Sequence, residues 1–195
     1  MVVHVHYNTA FKDMTPEQIT QYCGLREFEL VGSAVFVKNK AFISKVISWV
    51  CSGKAESKDF VPSHVGSLIL VGGHVYLFDM KPPRPTLTRF DEYLANSQDE
   101  FMIVMRNFAL NTEQFSLEIL KRYNKPYGYL SAIQSAFKYL WWGFKEHCSE
   151  IHLKALQAQG LFKEYDANET TPEDLKEILL KYDELGAFKN DGSKD

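Results

Sequence analysis

Three side chains in this sequence have the types that nucleophilic acyl transfer needs: a thiol at Cys148, an imidazole at His64 and a carboxylate at Asp79. The chemistry calls for a sulfur that ionises, a base that takes its proton and an acid that fixes the tautomer of the base. Cys148 falls at the head of a predicted helix, after a loop containing Gly143. Unpaired N–H groups and the positive end of the helix dipole favour the thiolate there, and the same N–H groups suit a developing oxyanion. A lone cysteine among Trp and Phe is ordinarily buried packing, so its position counts only together with a base.

The chain has six histidines. His4 and His6 share one strand face near the terminus, where a surface or adventitious metal contact is the ordinary reading. His147 adjoins Cys148 but points elsewhere on the helix, and His152 reaches the thiol only from the next turn. His74 opens a strand and has no evident orienter. His64 differs, because Ser63-His64-Val65-Gly66 begins a strong strand after Val61-Pro62 and places the imidazole at a sheet end, facing a helix. Taken alone, such a residue is simply a hydrogen-bonded histidine at a strand start. With a hairpin turn at Gly72-Gly73, Lys81 falls opposite His64. Asp79 then becomes the diagonal same-face neighbour, at roughly 7–8 Å between backbones and within side-chain reach. The bland alternative for Asp79 is an exposed strand-end carboxylate beside a proline loop.

The elements that must position these groups follow from periodicity and punctuation. Val2 to Tyr7 alternates as a short strand. Thr15-Pro16-Glu17-Gln18 reads as a capping box that opens a helix running to about Cys23 and ended by Gly24. Phe28 to Val37 is β-rich around Gly32, and Ala41 to Val50 carries one apolar helical face. Val65 to Val71 and His74 to Met80 form the hairpin. Lys81 to Pro85 holds three prolines and is irregular, because proline donates no ladder hydrogen bond. A helical turn at Phe90 to Ala95, a strand at Glu100 to Asn107 and a helix at Thr112 to Tyr123 come next. Aromatics crowd Tyr127 to Trp142. Helices at His147 to Gln159, stopped by Gly160, and at Pro172 to Leu185 close the chain, with a frayed tail from Gly186.

Composition bounds the function. The 195 residues are 45% hydrophobic and 24% charged, ordinary values for one globular domain. Lys and Arg number 22 against 25 Asp and Glu, a net charge of −3, so no global basic field gathers nucleic acid or an anionic membrane surface. The three cysteines, Cys23, Cys51 and Cys148, form no CxxC pair, which argues against a disulfide framework or a cysteine-rich zinc site and for a reducing compartment. Neither a signal-peptide pattern nor a run of about 20 apolar residues is present, and no transmembrane segment is expected.

Taken in order, the stretches Val31-Gly32-Ser33-Ala34-Val35-Phe36, Phe42 to Trp49, Ser63-His64-Val65-Gly66, Val75 to Asp79, Lys125-Pro126-Tyr127-Gly128 and Cys148-Ser149-Glu150 resemble the circularly permuted papain-like hydrolases. These are related to the NlpC peptidases, and the likeness is to the YiiX-like branch and its poxvirus relatives in particular. Two positions depart from that family's pattern: Asp79 stands where a Glu is expected, and Ser33 where an Asp is usual. The resemblance implies a permuted papain-like α+β fold, with a small antiparallel sheet or partial barrel packed against helices. It divides the chain into an N-terminal strand/helix extension (1–30), a hydrolase domain (31–160) and a C-terminal helix with its tail (161–195). It implies Cys148 as nucleophile, His64 as base and Asp79 as orienter, with Tyr127 as a pocket wall. The expected activity is a cofactor- and metal-independent thiol hydrolase. It would cleave a peptide, isopeptide or peptidoglycan stem peptide, or a lipid amide or ester, in the cytoplasm or in a phage- or virus-encoded setting without a Sec signal. A non-catalytic module of the same fold, engaging a protein or lipid partner through the aromatic stretch, is the alternative. A metal-binding protein built on His4, His6 and a carboxylate is the third.

Overall fold

A computed structural model describes residues 5–38, 60–80, 84–124 and 147–189. The described residues form an α+β fold: one open, wholly antiparallel six-stranded sheet and six α-helices. The strands are β1 (Val5–Tyr7), β2 (Ala34–Lys38), β3 (His64–Val71), β4 (His74–Asp79), β5 (Thr86–Arg89) and β6 (Glu100–Val104). Their order across the sheet is β1-β6-β2-β3-β4-β5. The helices are α1 (Pro16–Leu25), α2 (Glu27–Leu30), α3 (Phe90–Asn96), α4 (Thr112–Leu120), α5 (Cys148–Gln157) and α6 (Pro172–Lys189).

Two apolar clusters lie on the two faces of the sheet. Ala34, Phe36, Val65, Ile69 and Phe78 pack with residues of α4, α5 and α6, whereas Val35, Val37, Leu68, Leu77 and Ile103 pack with α1 and α3. Successive strand residues point to opposite faces, so β2, covered on both sides, reads Ala-Val-Phe-Val without polar alternation and is buried along that run. The expected hairpin forms. Gly72 (φ 56°) and Gly73 (φ 77°) make its two-residue turn, a conformation that residues with a Cβ resist. Pairing from Val71↔His74 to Ser67↔Phe78 is the register that the glycine turn predicts.

Several elements differ from the sequence reading. Thr15 and Gln18 form the predicted capping box, but α1 continues through Gly24 to Leu25. Nothing lies within 4 Å of where a Gly24 side chain would sit, so this glycine acts as a plain helical residue. The expected strand from Phe28 begins only at Ala34. Its first part is the short helix α2, with Phe28 77% exposed and Leu30 buried; β-rich composition does not separate four helical residues from the strand that follows. The chain then turns at Gly32 (φ 88°), where an added Cβ would lie 2.2 Å from Leu110. The tail expected to fray from Gly186 remains helical to Lys189. Edge strand β5, paired with β4 from Asp79↔Thr86 to Tyr76↔Arg89, was not expected; four residues after a proline run are too few to show a period. The helix read at Ala41 to Val50 and the aromatic stretch Tyr127 to Trp142 lie outside the described residues. Among the described residues, no helix is long and apolar enough to cross a membrane.

Candidate active site

His64 opens β3, opposite Val37 of the neighbouring strand. The approach to it is anchored twice. Ser63 donates its backbone N–H and its hydroxyl to the Val37 carbonyl, at 3.0 and 3.3 Å. The Lys176 ammonium, arriving from α6, donates to the Phe60 carbonyl at 2.8 Å. Lys176 is also 2.6 Å from the buried Glu173 carboxylate, so the cation that holds the loop is itself compensated.

Asp79 is the last residue of β4, and its Oδ1 is hydrogen-bonded to His64 Nε2, both groups being buried. The diagonal relation read from the hairpin register therefore brings these two side chains together. Gly66, two residues beyond His64 on β3 and on the same face, lets β4 approach closely here. A Cβ at Gly66 would stand 2.5 Å from Leu77 Cδ1 and 3.2 Å from the Phe78 carbonyl oxygen. Lys81, read as directly opposite His64, lies outside the described residues.

Cys148 is the first residue of α5 and is 5% exposed. Its sulfur is hydrogen-bonded to the His64 side chain and to the backbone of Val65. Asp79 occupies Nε2, which leaves Nδ1 as the ring nitrogen facing the sulfur. Burial raises the Cys148 pKa, but the His64 charge, the His64 hydrogen bond, the His147 charge and the Val65 N–H outweigh it and bring the thiol from 9.0 down to about 7. For His64, burial works against the charged ring, yet Cys148 and Asp79 together lift it from 6.5 to about 10. Each partner favours the charged form of the other, so the pair is set to rest as thiolate and imidazolium.

The helix start is held by groups that sequence reasoning did not assign. His147 is the N-cap of α5, and its backbone N–H donates to Glu150 Oε2 at 3.2 Å. Its Nδ1 lies 3.0 Å from the same oxygen. Lys154 donates to the other Glu150 oxygen at 2.6 Å. Burial opposes ionisation of Glu150, but His147 and Lys154 hold its pKa below the ordinary value. Ser149 donates to the Thr170 carbonyl at 2.6 Å, tying the residue after the thiol to the approach of α6. The acid three residues into the helix was a readable capping signal, obscured because histidine is an unusual N-cap. The Lys176 and Ser149 contacts span 116 and 21 residues and have no local signature.

The remaining candidates lie apart. Ser33 is buried, donates to the Glu29 carbonyl at 2.8 Å and accepts the Arg106 N–H at 2.9 Å; it braces the α2–β2 corner. His6 packs against the rings of Phe11 and Tyr22, and His74 is exposed beside the hairpin turn. His4 and Tyr127 lie outside the described residues. Among the described residues, no group of three or more His, Cys, Asp or Glu is placed to hold a metal ion.

No family model matches the chain, and no curated protein matches it. A solved structure described as metalloprotein yiiX (DUF1105) from Escherichia coli O157:H7 is 20% identical to it. The likeness covers 76% of this chain and 79% of that chain, with a TM-score of 0.41.

Proposed function

We propose that this chain is a cysteine hydrolase of permuted papain-like type, acting through Cys148, His64 and Asp79 on an amide or ester. The observation that carries the reading is the buried relay in which the Asp79 carboxylate holds the imidazole that bonds the Cys148 sulfur at the head of α5. The thiolate attacks the carbonyl carbon, forming a C–S bond as the carbonyl π electrons move to oxygen. N–H groups of the first turn of α5 stabilise that oxyanion. His64 gives its proton to the departing amine or alkoxide as the C–N or C–O bond breaks, leaving a thioester. Water then attacks the thioester and gives a proton to His64; the C–S bond breaks, and the thiolate and imidazolium are restored. Peptides, isopeptides, peptidoglycan stem peptides and lipid amides or esters are the substrate classes. Cys23 and Cys148 are both free thiols, in keeping with work in a reducing setting.

The test is iodoacetamide labelling of Cys148 as a function of pH, read by mass spectrometry, together with hydrolysis of a panel drawn from those classes. Labelling that rises through about pH 7, disappears on Cys148→Ser and moves up in pH on His64→Ala is the expected result. A profile identical to that of a free thiol in all variants overturns the reading.

A non-catalytic module of the same fold is favoured by one observation, the 5% exposure of Cys148. The Asp79–His64 hydrogen bond weighs against it, since it orients the imidazole as a general base requires. A folded protein whose Cys148 resists iodoacetamide and which hydrolyses none of the panel classes is the result this second reading predicts.

A further inference from the structure

Cys148 is not the only ionisable side chain that α5 turns toward β3. His152, one helical turn further on, is fully buried, and its Nδ1 lies 2.9 Å from the Ser67 hydroxyl. Ser67 is two residues beyond Val65, whose backbone bonds the Cys148 sulfur. Four residues of α-helix advance about 6 Å, and two residues of strand advance about 6.6–6.8 Å. The Val65–Cys148 and Ser67–His152 contacts are therefore two rungs of nearly matching spacing between the same helix and the same strand.

The rest of this interface is apolar. Val65, Ile69, Phe115, Ile151 and Leu156 are buried around the two rungs, and the Phe115 ring stands edge-on to the His152 ring at 5.4 Å. Apolar burial fixes that α5 packs here but is non-directional, and a slide of one residue would rotate Cys148 by about 100° away from His64. A hydrogen bond with one geometry forbids the slide. Burial also presses the His152 pKa from 6.5 to about 3, so the ring is neutral and brings no charge to the neighbouring thiolate. Its Nε2 has no protein partner among the described residues, a desolvation cost that an apolar residue of similar volume would avoid. The best-attested use of such a buried polar pair is to specify register.

We propose that the Ser67–His152 hydrogen bond is a register pin that holds α5 where the Cys148 sulfur meets His64. Ser67 and His152 are then positioning residues for the reaction proposed above, and the inference rests on that reading. His152→Leu, close to histidine in volume, separates register from stability. It is expected to melt at or above the wild-type temperature while Cys148 labelling by iodoacetamide at pH 6.5 falls about fivefold, the lost thiolate fraction being partly offset by higher intrinsic nucleophilicity. His152→Asn, which keeps a polar atom at the level of Nδ1, is expected to recover most of the labelling. Ser67→Ala removes the same bond by one atom and carries the same prediction should His152→Leu lose cooperative unfolding. Wild-type labelling in a folded His152→Leu or Ser67→Ala variant overturns the pin and leaves the Cys148–His64 pair standing. A wild-type profile that already matches a free thiol overturns the pair, and the pin with it.

Discussion

His64 and Asp79 lie fifteen residues apart in the chain and are hydrogen-bonded in the fold. The two-glycine turn brings them together by setting the register of β3 on β4. The carboxylate then takes one ring nitrogen and leaves the other to the sulfur, which is the tautomer a base needs.

Asp79→Asn keeps the shape of this contact and removes its charge. The imidazolium loses a partner that now raises its pKa, so the thiolate it supports is also less favoured. Hydrolysis of any substrate found is expected to fall by about 10³–10⁴, with the labelling limb of Cys148 moving up in pH and the melting temperature changing far less. Equal activity in the variant would remove Asp79 from the relay.

Gly66→Ala tests the same relation through sterics. The new methyl meets Leu77 Cδ1 at 2.5 Å and the Phe78 carbonyl at 3.2 Å, and only the leucine can move. A loss of about 1–3 kcal/mol in urea unfolding is expected, with slower Cys148 labelling as β4 and Asp79 are pushed away. A neutral result in both measurements would show that Leu77 yields without disturbing the pair.

Lys176→Met leaves the Glu173 carboxylate buried with its compensating cation removed, and frees the Phe60 carbonyl. Breaking a buried pair from one side costs about 3–5 kcal/mol. The double variant Lys176→Met with Glu173→Leu removes both charges and is expected to regain most of that stability. Its loop toward His64, no longer anchored at Phe60, should still label more slowly at Cys148. Calorimetry of the single and double variants decides the first point and labelling the second.

His152 predicts how stability changes in acid. Its folded pKa of about 3 lies below its ordinary value of 6.5, so below pH 6.5 the unfolded chain binds a proton that the folded chain refuses. The contribution is therefore fully present above pH 6.5 and is lost as pH falls toward 3, by about 1.4 kcal/mol per pH unit. Urea midpoints at pH 7.5, 5.5 and 4.5 should fall more steeply in the wild type than in His152→Leu. Parallel slopes would mean that the ring is protonated in the fold.

Much of the architecture is local and was therefore legible. The capping box at Thr15, the Gly72-Gly73 turn and the Thr171-Pro172-Glu173-Asp174 start of α6, where the Asp174 N–H donates to the Thr171 hydroxyl, are set by residues within four positions of one another, and backbone sterics decide them before any tertiary contact forms. Because a hairpin register follows from its turn, the diagonal placement of Asp79 against His64 was readable from numbering alone. The short elements were not: α2 and β5 have four residues each, about one turn or two strand periods, which no pattern resolves. Tertiary structure alone decided that the Cys148 sulfur is buried against the backbone of Val65, that Lys176 and Ser149 tie α6 to the site, and that His152 pairs with Ser67 across 85 residues. Such contacts depend on how helices settle on a sheet, through apolar surfaces that attract without direction. Only the completed packing determines which polar atoms end up within bonding distance.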